Sequence, residues 1–252
     1  MDERSSHSVT GHCRPRATPR ANPIGKTASH DAPDYVLERE SYRVRRAGSP
    51  GQRSKACGLV DNMYSRRGYQ TDSVPSIPRH PNSIILEASS GRNLFGTLTL
   101  GFDSGQGLLA DALYQEEISS LRTAGRKLCE VSKLAVDPEY GSKEILASIM
   151  HLCYFYAHVI HNATDMLIEV HPRHAVFYER RLGFRQIAGM RTCPRVNAPA
   201  VLLHIELSYM QEQISKHGGS RDTKERSLYP YFSPECLINQ RENRDNRVQL
   251  AA

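Results

Sequence analysis

The segment Leu128–Val136 (LCEVSKLAV) sets a carboxylate, Glu130, inside an apolar run of strand-forming residues. A buried carboxylate has to be paired or used. Burial also raises its pKa toward neutrality, where it can take a proton from an incoming nucleophile as a general base. Strict alternation gives a second reading. It puts Glu130, Ser132 and Leu134 on one face and Val131, Lys133 and Ala135 on the other, which describes a half-exposed strand with Glu130 at its surface. Further along, Phe177-Tyr178 stands before Leu182-Gly183-Phe184. A phenol beside a strand end can protonate a departing thiolate, its ordinary pKa of about 10 lying above a thiol's. The same pair would also serve as core aromatics.

Other chemistry is weaker. His158 and His161 are three apart, as are His171 and His174, so either pair could touch one metal. Pro172 breaks the second pair and no H-E-x-x-H occurs, so no metal site is expected. The phosphate loops G-x-x-x-x-G-K-[ST] and G-x-G-x-x-G are missing, and Gly141 stands alone. Two basic clusters, Arg122/Arg126/Lys127 and Arg180/Arg181/Arg185, read either as docking sites for an acidic partner or as solvated faces.

These residues need elements to hold them. Tyr42–Ala47 has a strand composition and Gly48-Ser49-Pro50 a turn. Over Gln52–Arg67, the residues Ala56, Leu59, Val60, Met63 and Tyr64 recur at helical spacing, with Gly68 as the stop. Three prolines make Thr71–Pro81 a loop. Ser83–Ala88 and Leu94–Gly101 form a hairpin, and a helix is expected near Tyr114–Ala124. After the Glu130 strand, Asp137-Pro138 opens a long helix, Ser142–His161. A strand Asp165–Val170, a helix His174–Leu182 ended by Gly183, and strands Phe184–Ala188 and Ala200–Leu207 complete the pattern. Strands alternating with helices predict an α/β or α+β sheet covered by helices.

The 252 residues suit one domain with tails: a basic tail over 1–32 expected to be disordered, a domain over 33–210 and a polar extension over 211–252. The net charge of +6 is uneven. Residues 1–30 hold five Lys/Arg against two Asp/Glu, while 31–210 hold 21 against 19. A nearly neutral middle argues against a dedicated nucleic-acid protein. The most apolar run, Ile145–Ile160, is broken by Ser148, His151 and His158, so no transmembrane segment is expected. No apolar stretch follows the N-terminal arginines, so no secretory signal is expected. The six cysteines are scattered without a C-x-x-C, which suits reduced, mostly buried thiols.

The order of these pieces resembles the GNAT acyltransferase fold: a central mixed, mostly antiparallel sheet flanked by helices. LCEVSKLAVDP resembles its central strand, and HPRHAVFYERRLGF its strand-to-helix segment. More narrowly, the chain resembles the N-acyl amino acid synthase family. The matching pieces are YRVRRA, LVDNMYSRRGY, the run from LFGTLTLGF to KLCEVSKLAV, VHPRHAVFYERRLGF and PRVNAPAVLL, over about residues 42–210. The resemblance implies transfer of a long-chain fatty acyl group from acyl carrier protein to the amine of an amino acid, in the cytoplasm, without a cofactor. It implies Glu130 as base and Tyr178 as acid. Backbone N–H groups around Lys133–Leu134 would hold the oxyanion, and Arg173 or Lys133 the acceptor's carboxylate. Ser132 and Tyr69 join these as substrate-binding residues, and the acyl chain would run along Ile145, Ile149 and Leu152. Acetyl-CoA enzymes of this fold carry [QR]-x-x-G-x-[GA] before the long helix, where backbone N–H groups hold the pyrophosphate. Here the stretch is PEYGSKEIL, which fits a carrier-protein donor better than acyl-CoA.

Homoserine lactone synthases share Glu130, Ser132 and Lys133 in an E-x-S-[RK] strand. They also carry an Arg and an acidic cluster around a G-W pair; this chain has Gly68-Tyr69, Leu59 at the Arg spacing, and only Asp72. Three alternatives therefore stand beside the synthase: a CoA-dependent N-acyltransferase, a lactone synthase, and a GNAT-like binding module without chemistry. The C-terminal LYPYFSPECL offers aromatics to cover an acyl tunnel or make peripheral contact with a membrane.

Overall fold

The hairpin β3 (Ser83–Ser90) and β4 (Asn93–Phe102) lies near the middle of a sheet ordered β10-β1-β2-β3-β4-β5-β6-β9-β7. The computed structural model describes residues 34–69, 82–220, 225–232 and 238–240. The predicted loop Thr71–Pro81 and the N-terminal tail lie outside the described residues. Around the hairpin run β1 (Tyr35–Glu38), β2 (Arg43–Arg46), β5 (Leu128–Val136), β6 (Asp165–Val170), β7 (Arg185–Gln186), β9 (Ala198–Glu206) and β10 (Ile238–Gln240). β8 (Arg191–Cys193) pairs with β9 off this path. Every pairing is antiparallel except β5 with β6. This is the mixed, mostly antiparallel sheet that the sequence suggested.

Helices cover both faces. On one face lie α1 (Pro50–Ser65) and α2 (Asp111–Thr123). Ser49 and Gln52 form a capping box at the start of α1. Ala56 packs on Ala47 and Ile85, and Val60 and Met63 on Ala135. Leu59, read as part of the same stripe, is half-buried and packs beside Val60 and Met63. Tyr114 and Ile118 of α2 pack on Leu128, Leu167 and Leu202. The opposite face carries α3 (Lys143–Tyr154), α4 (Pro172–Leu182) and α5 (Leu207–His217) over Leu86, Leu98, Leu100, Met166 and Leu203.

Three features differ from the expectations. The long helix changes at Phe155–Ile160 into π-helical turns, closed by the N–H of His161 on the Tyr156 carbonyl. The wider turn lets Phe155 and Tyr156 both pack on Tyr35. Second, α5 runs across residue 210, so the folded region does not stop there. Third, Leu228, Tyr229 and Phe232 of the C-terminal segment are buried in the α3 side of the core, where Phe232 stacks on His151. They close the core instead of covering a tunnel or meeting a membrane.

β5 carries the decisive irregularity. Thr97 pairs with Ala135 and Thr99 with Ser132, so Lys133 and Leu134 both stand opposite Leu98. This is a β-bulge, and Lys133 sits in the left-handed region at φ 52°. β5 pairs with β6 only from Leu128–Asp165 to Val131–Ile168. Beyond that point the two strands part, and the bulge marks where they do.

Candidate active site

A cavity of about 430 Å³ opens where β5 and β6 part, on the α1/α2 face. That volume lies within the range of small-molecule sites. β5 contributes Glu130, Val131, Ser132 and Lys133, and the end of β6 contributes Glu169, Val170 and His171. Thr99, Gly101 and Phe102 come from β4, and Gln106–Leu109 from the loop before α2. Tyr64 and Tyr69 close one side, and Cys193, Arg195 and Val196 of the β8–β9 hairpin close another.

Glu130 is 3% exposed, so the reading of a half-exposed strand with a surface carboxylate is wrong. Alternation failed because helices cover both faces of β5, and the bulge shifts the pattern at Lys133. Its Oε2 accepts the N–H of Leu109 at 2.7 Å and of Ala110 at 3.4 Å. Burial pushes its pKa up to about 7 and Glu169 adds to the rise, against the pull of Arg195 and the two N–H groups.

The loop that supplies these N–H groups is held on purpose-built contacts. Arg122 grips Asp103 and Asp111, at 2.7 and 2.6 Å, on either side of it. Asp111 Oδ2 accepts the N–H of Leu108 at 2.6 Å. Gly107 has φ +73°, and a Cβ there would stand 2.8 Å from Asp111 Oδ2, so only glycine fits this turn. Arg126 binds Asp165 and Glu206. Arg122 and Arg126 are therefore internal ties, not the docking site or solvated face considered from sequence. In the other cluster, Arg180 and Arg185 are exposed, while Arg181 donates to the Arg226 carbonyl.

The remaining expected residues divide. Ser132, Lys133 and Tyr69 line the cavity; Leu134 does not and packs against the core. Lys133 has its pKa lowered by burial. Arg173 is exposed on α4, with His174 at 3.1 Å and the Tyr69 hydroxyl at 3.5 Å. It does not line the cavity, because α4 leads away from the lip of β6. Tyr178 is also outside the lining. It lies edge-on to Phe184, and burial, with the nearby phenol of Tyr64 second, raises its pKa well above the ordinary phenol value. Tyr64, its neighbour, does line the cavity.

Ile145, Ile149 and Leu152 are a correction. All three are buried in the core between α3 and the sheet, on the face away from the cavity. A Cβ on Gly96 would stand 2.8 Å from Ile149 Cδ1, so side chains fill the space assigned to an acyl chain. An apolar helix face is the same signal whether it lines a channel or packs on a sheet.

The histidines do other work. The Nδ1 of His171 accepts the Arg173 N–H at the start of α4, and His158 bonds to Ala163. His151 is buried and stays neutral, its pKa lowered to about 4 by burial and by Arg39. Among the described residues no three His, Cys, Asp or Glu side chains come together as a metal site. Cys57, Cys129, Cys153 and Cys193 are free thiols. No helix among the described residues is long and apolar enough to cross a membrane.

Sequence reasoning missed Arg195, Glu169 and Tyr64. Arg195 donates to Glu169 Oε2 and to the Leu109 carbonyl, both at 2.8 Å. Nothing local marks it: it is one arginine in a turn, placed only by the hairpin. Its neighbour Asn197 takes φ 47° to close that turn.

A bulged central strand parting from a parallel neighbour, with a buried carboxylate at the fork, defines a GNAT-type acyltransferase. A GCN5-related N-acetyltransferase from Brucella melitensis shares this fold, with a TM-score of 0.50 at 9% identity over 81% of this chain and 99% of that one. The FeeM family of N-acyl amino acid synthases matches residues 55–206, and the chain belongs to that family. The structure of FeeM, an N-acyl amino acid synthase from uncultured soil microbes, is 28% identical, with a TM-score of 0.64 over 68% of this chain and 94% of that one. No curated protein matches the chain. The protein is thus an N-acyltransferase that takes an acyl donor and an amino-acid acceptor, and the readings as a lactone synthase or a binding module give way.

Proposed function

We propose that the protein moves a long-chain fatty acyl group from the phosphopantetheine thioester of an acyl carrier protein to the α-amine of an amino acid. The observation that carries the reading is Glu130, a buried carboxylate with a pKa of about 7 in a largely apolar cavity at the fork of β5 and β6. The acceptor amine is mostly protonated near pH 7. Glu130, directly or through one water, takes its proton. The amine nitrogen then bonds to the thioester carbon, and the carbonyl oxygen becomes an oxyanion. Backbone N–H groups of the Lys133–Leu134 bulge are the donors we assign to it. The C–S bond breaks, the amide forms, the carrier thiolate takes a proton from Tyr178, and the nitrogen's second proton passes, directly or through water, back to the Tyr178 phenolate. Ser132 and Tyr69 bound the acceptor. No redox change occurs, so no cofactor is required.

Two features support the donor. The N-terminus of α3 is capped by Ser142, whose Oγ accepts the Ile145 N–H at 3.1 Å. Glu144 adds a negative charge in the first turn. Both disfavour a pyrophosphate at that helix end. Phe102, Leu108, Leu109, Val131 and Val170 give the acyl group an apolar wall, each buried CH₂ contributing ~0.8 kcal/mol. A carrier-protein donor makes the cytoplasm, beside fatty-acid synthesis, the expected site of action.

The test combines purified protein, carrier protein loaded with C8–C18 chains and the twenty amino acids, with mass spectrometry of the extract. The expected product is an N-acyl amino acid formed from the carrier-bound donor and not from acyl-CoA. Equal product from acyl-CoA would overturn the donor assignment.

A further inference from the structure

We propose that Arg195 receives the α-carboxylate of the acceptor, in the same cavity where Glu130 takes the proton from its amine. This deepens the function proposed above and rests on it. Two carboxyl groups and two cations line the cavity: Glu130 and Glu169 on β5 and β6, and Lys133 and Arg195 on the bulge and the hairpin. Two carboxylates with two cations suit a zwitterion, in which an ammonium and a carboxylate hang on one carbon. A plain amine or a polyamine would leave both cations without an incoming anion.

Of the two cations, geometry favours Arg195. Its planar guanidinium matches a carboxylate bidentately, which an ammonium cannot do. The group is already oriented, by Glu169 on one nitrogen and the Leu109 carbonyl on another, so little side-chain freedom remains to be lost on binding. Leu109 also links it to the base: its backbone N–H goes to Glu130 and its carbonyl accepts from Arg195. The backbone of a single residue thus spans from Arg195 to the carboxylate that must reach the amine. Lys133 has Asp61 of α1 as its nearby carboxylate, away from Glu130 and Glu169. Arg173, the cation first expected in this role, is outside the lining.

The experiment compares each of the twenty amino acids with its carboxamide as acceptor, for wild type, Arg195→Gln and Arg195→Lys. The carboxamide has the more acidic ammonium and offers more free amine near pH 7, so amine chemistry alone favours it. The expected wild-type kcat/KM favours the acid by about 30-fold. In R195Q that ratio falls to within about threefold of one, and R195K, with the charge but not the fork, keeps part of it. Thermal melts check folding. Should R195Q not fold, R195K and the wild-type comparison decide. A wild type that uses the carboxamide as well as the acid, or an R195Q ratio equal to wild type, overturns the role of Arg195 and leaves the synthase standing. Acylation of no amino acid by any donor overturns both.

Discussion

Replacing Glu130 by Gln separates a catalytic carboxylate from a structural one. The Gln side chain keeps an oxygen to accept the Leu109 N–H, now 2.7 Å from Oε2. It removes the charge and the base. In the folded protein Glu130 holds its proton up to about pH 7, against an ordinary 4.5, chiefly because burial penalises the anion. The native state therefore binds more protons than the unfolded chain between these values, and wild-type stability falls as pH rises through that window. The difference corresponds to about 3 kcal/mol at full ionisation. Gln has no such dependence. Denaturant titrations at pH 5, 6, 7 and 8 should show the variant gaining on wild type by up to ~3 kcal/mol across the series. Over the same series the variant loses ~10²–10⁴ in kcat/KM. The wild-type rise in kcat/KM near pH 7 should be missing from its profile. A stability difference independent of pH would refute the burial argument. A limb near pH 7 that persists in E130Q would refute the base assignment, leaving Glu130 as a clamp for the loop before α2.

Tyr178→Phe should lower kcat ~10–100-fold with little change in KM if its phenol protonates the thiolate; full activity would move attention to Tyr64 in the cavity wall. Asp165→Asn strips the buried partner from Arg126 and His204 and should cost ~3 kcal/mol at pH 7 in a denaturant titration. Burial alone would raise the pKa of Asp165, but hydrogen bonds from His204, Arg126 and Thr164 bring it down to about 2. Its stabilisation is therefore present above pH 4 and fades as pH falls toward 2, so the gap between wild type and D165N should close in acid. Gly183→Ala puts a side chain at φ +84° against the Tyr209 ring and should lower the melting temperature, by the equivalent of ~1–3 kcal/mol.

Much of the framework followed from the residues alone. Runs of strand-forming apolar residues bounded by turn residues placed β3, β4, β5 and β6 close to their observed limits, and the 3.6-residue spacing of Ala56, Val60 and Met63 placed α1. These signals are local, so neighbours in the chain suffice to read them. Glu130 was likewise visible as a carboxylate in an apolar strand. Its state was not. Burial depends on α1 and α2 covering one face of β5 and α3 the other, and its pKa on Leu109, Glu169 and Arg195, which only the fold brings near it. The short strands β1 and β8 carry too few residues to show a period. The apolar face of α3 was read correctly as apolar, but its destination was decided by Gly96 and Ala88, which let Ile149 close onto the sheet. Spacing along one chain fixes which face a side chain takes; it does not say what lies across from it. That is why the carboxylate was found in the sequence, while the residues that set its charge were found only in the tertiary structure.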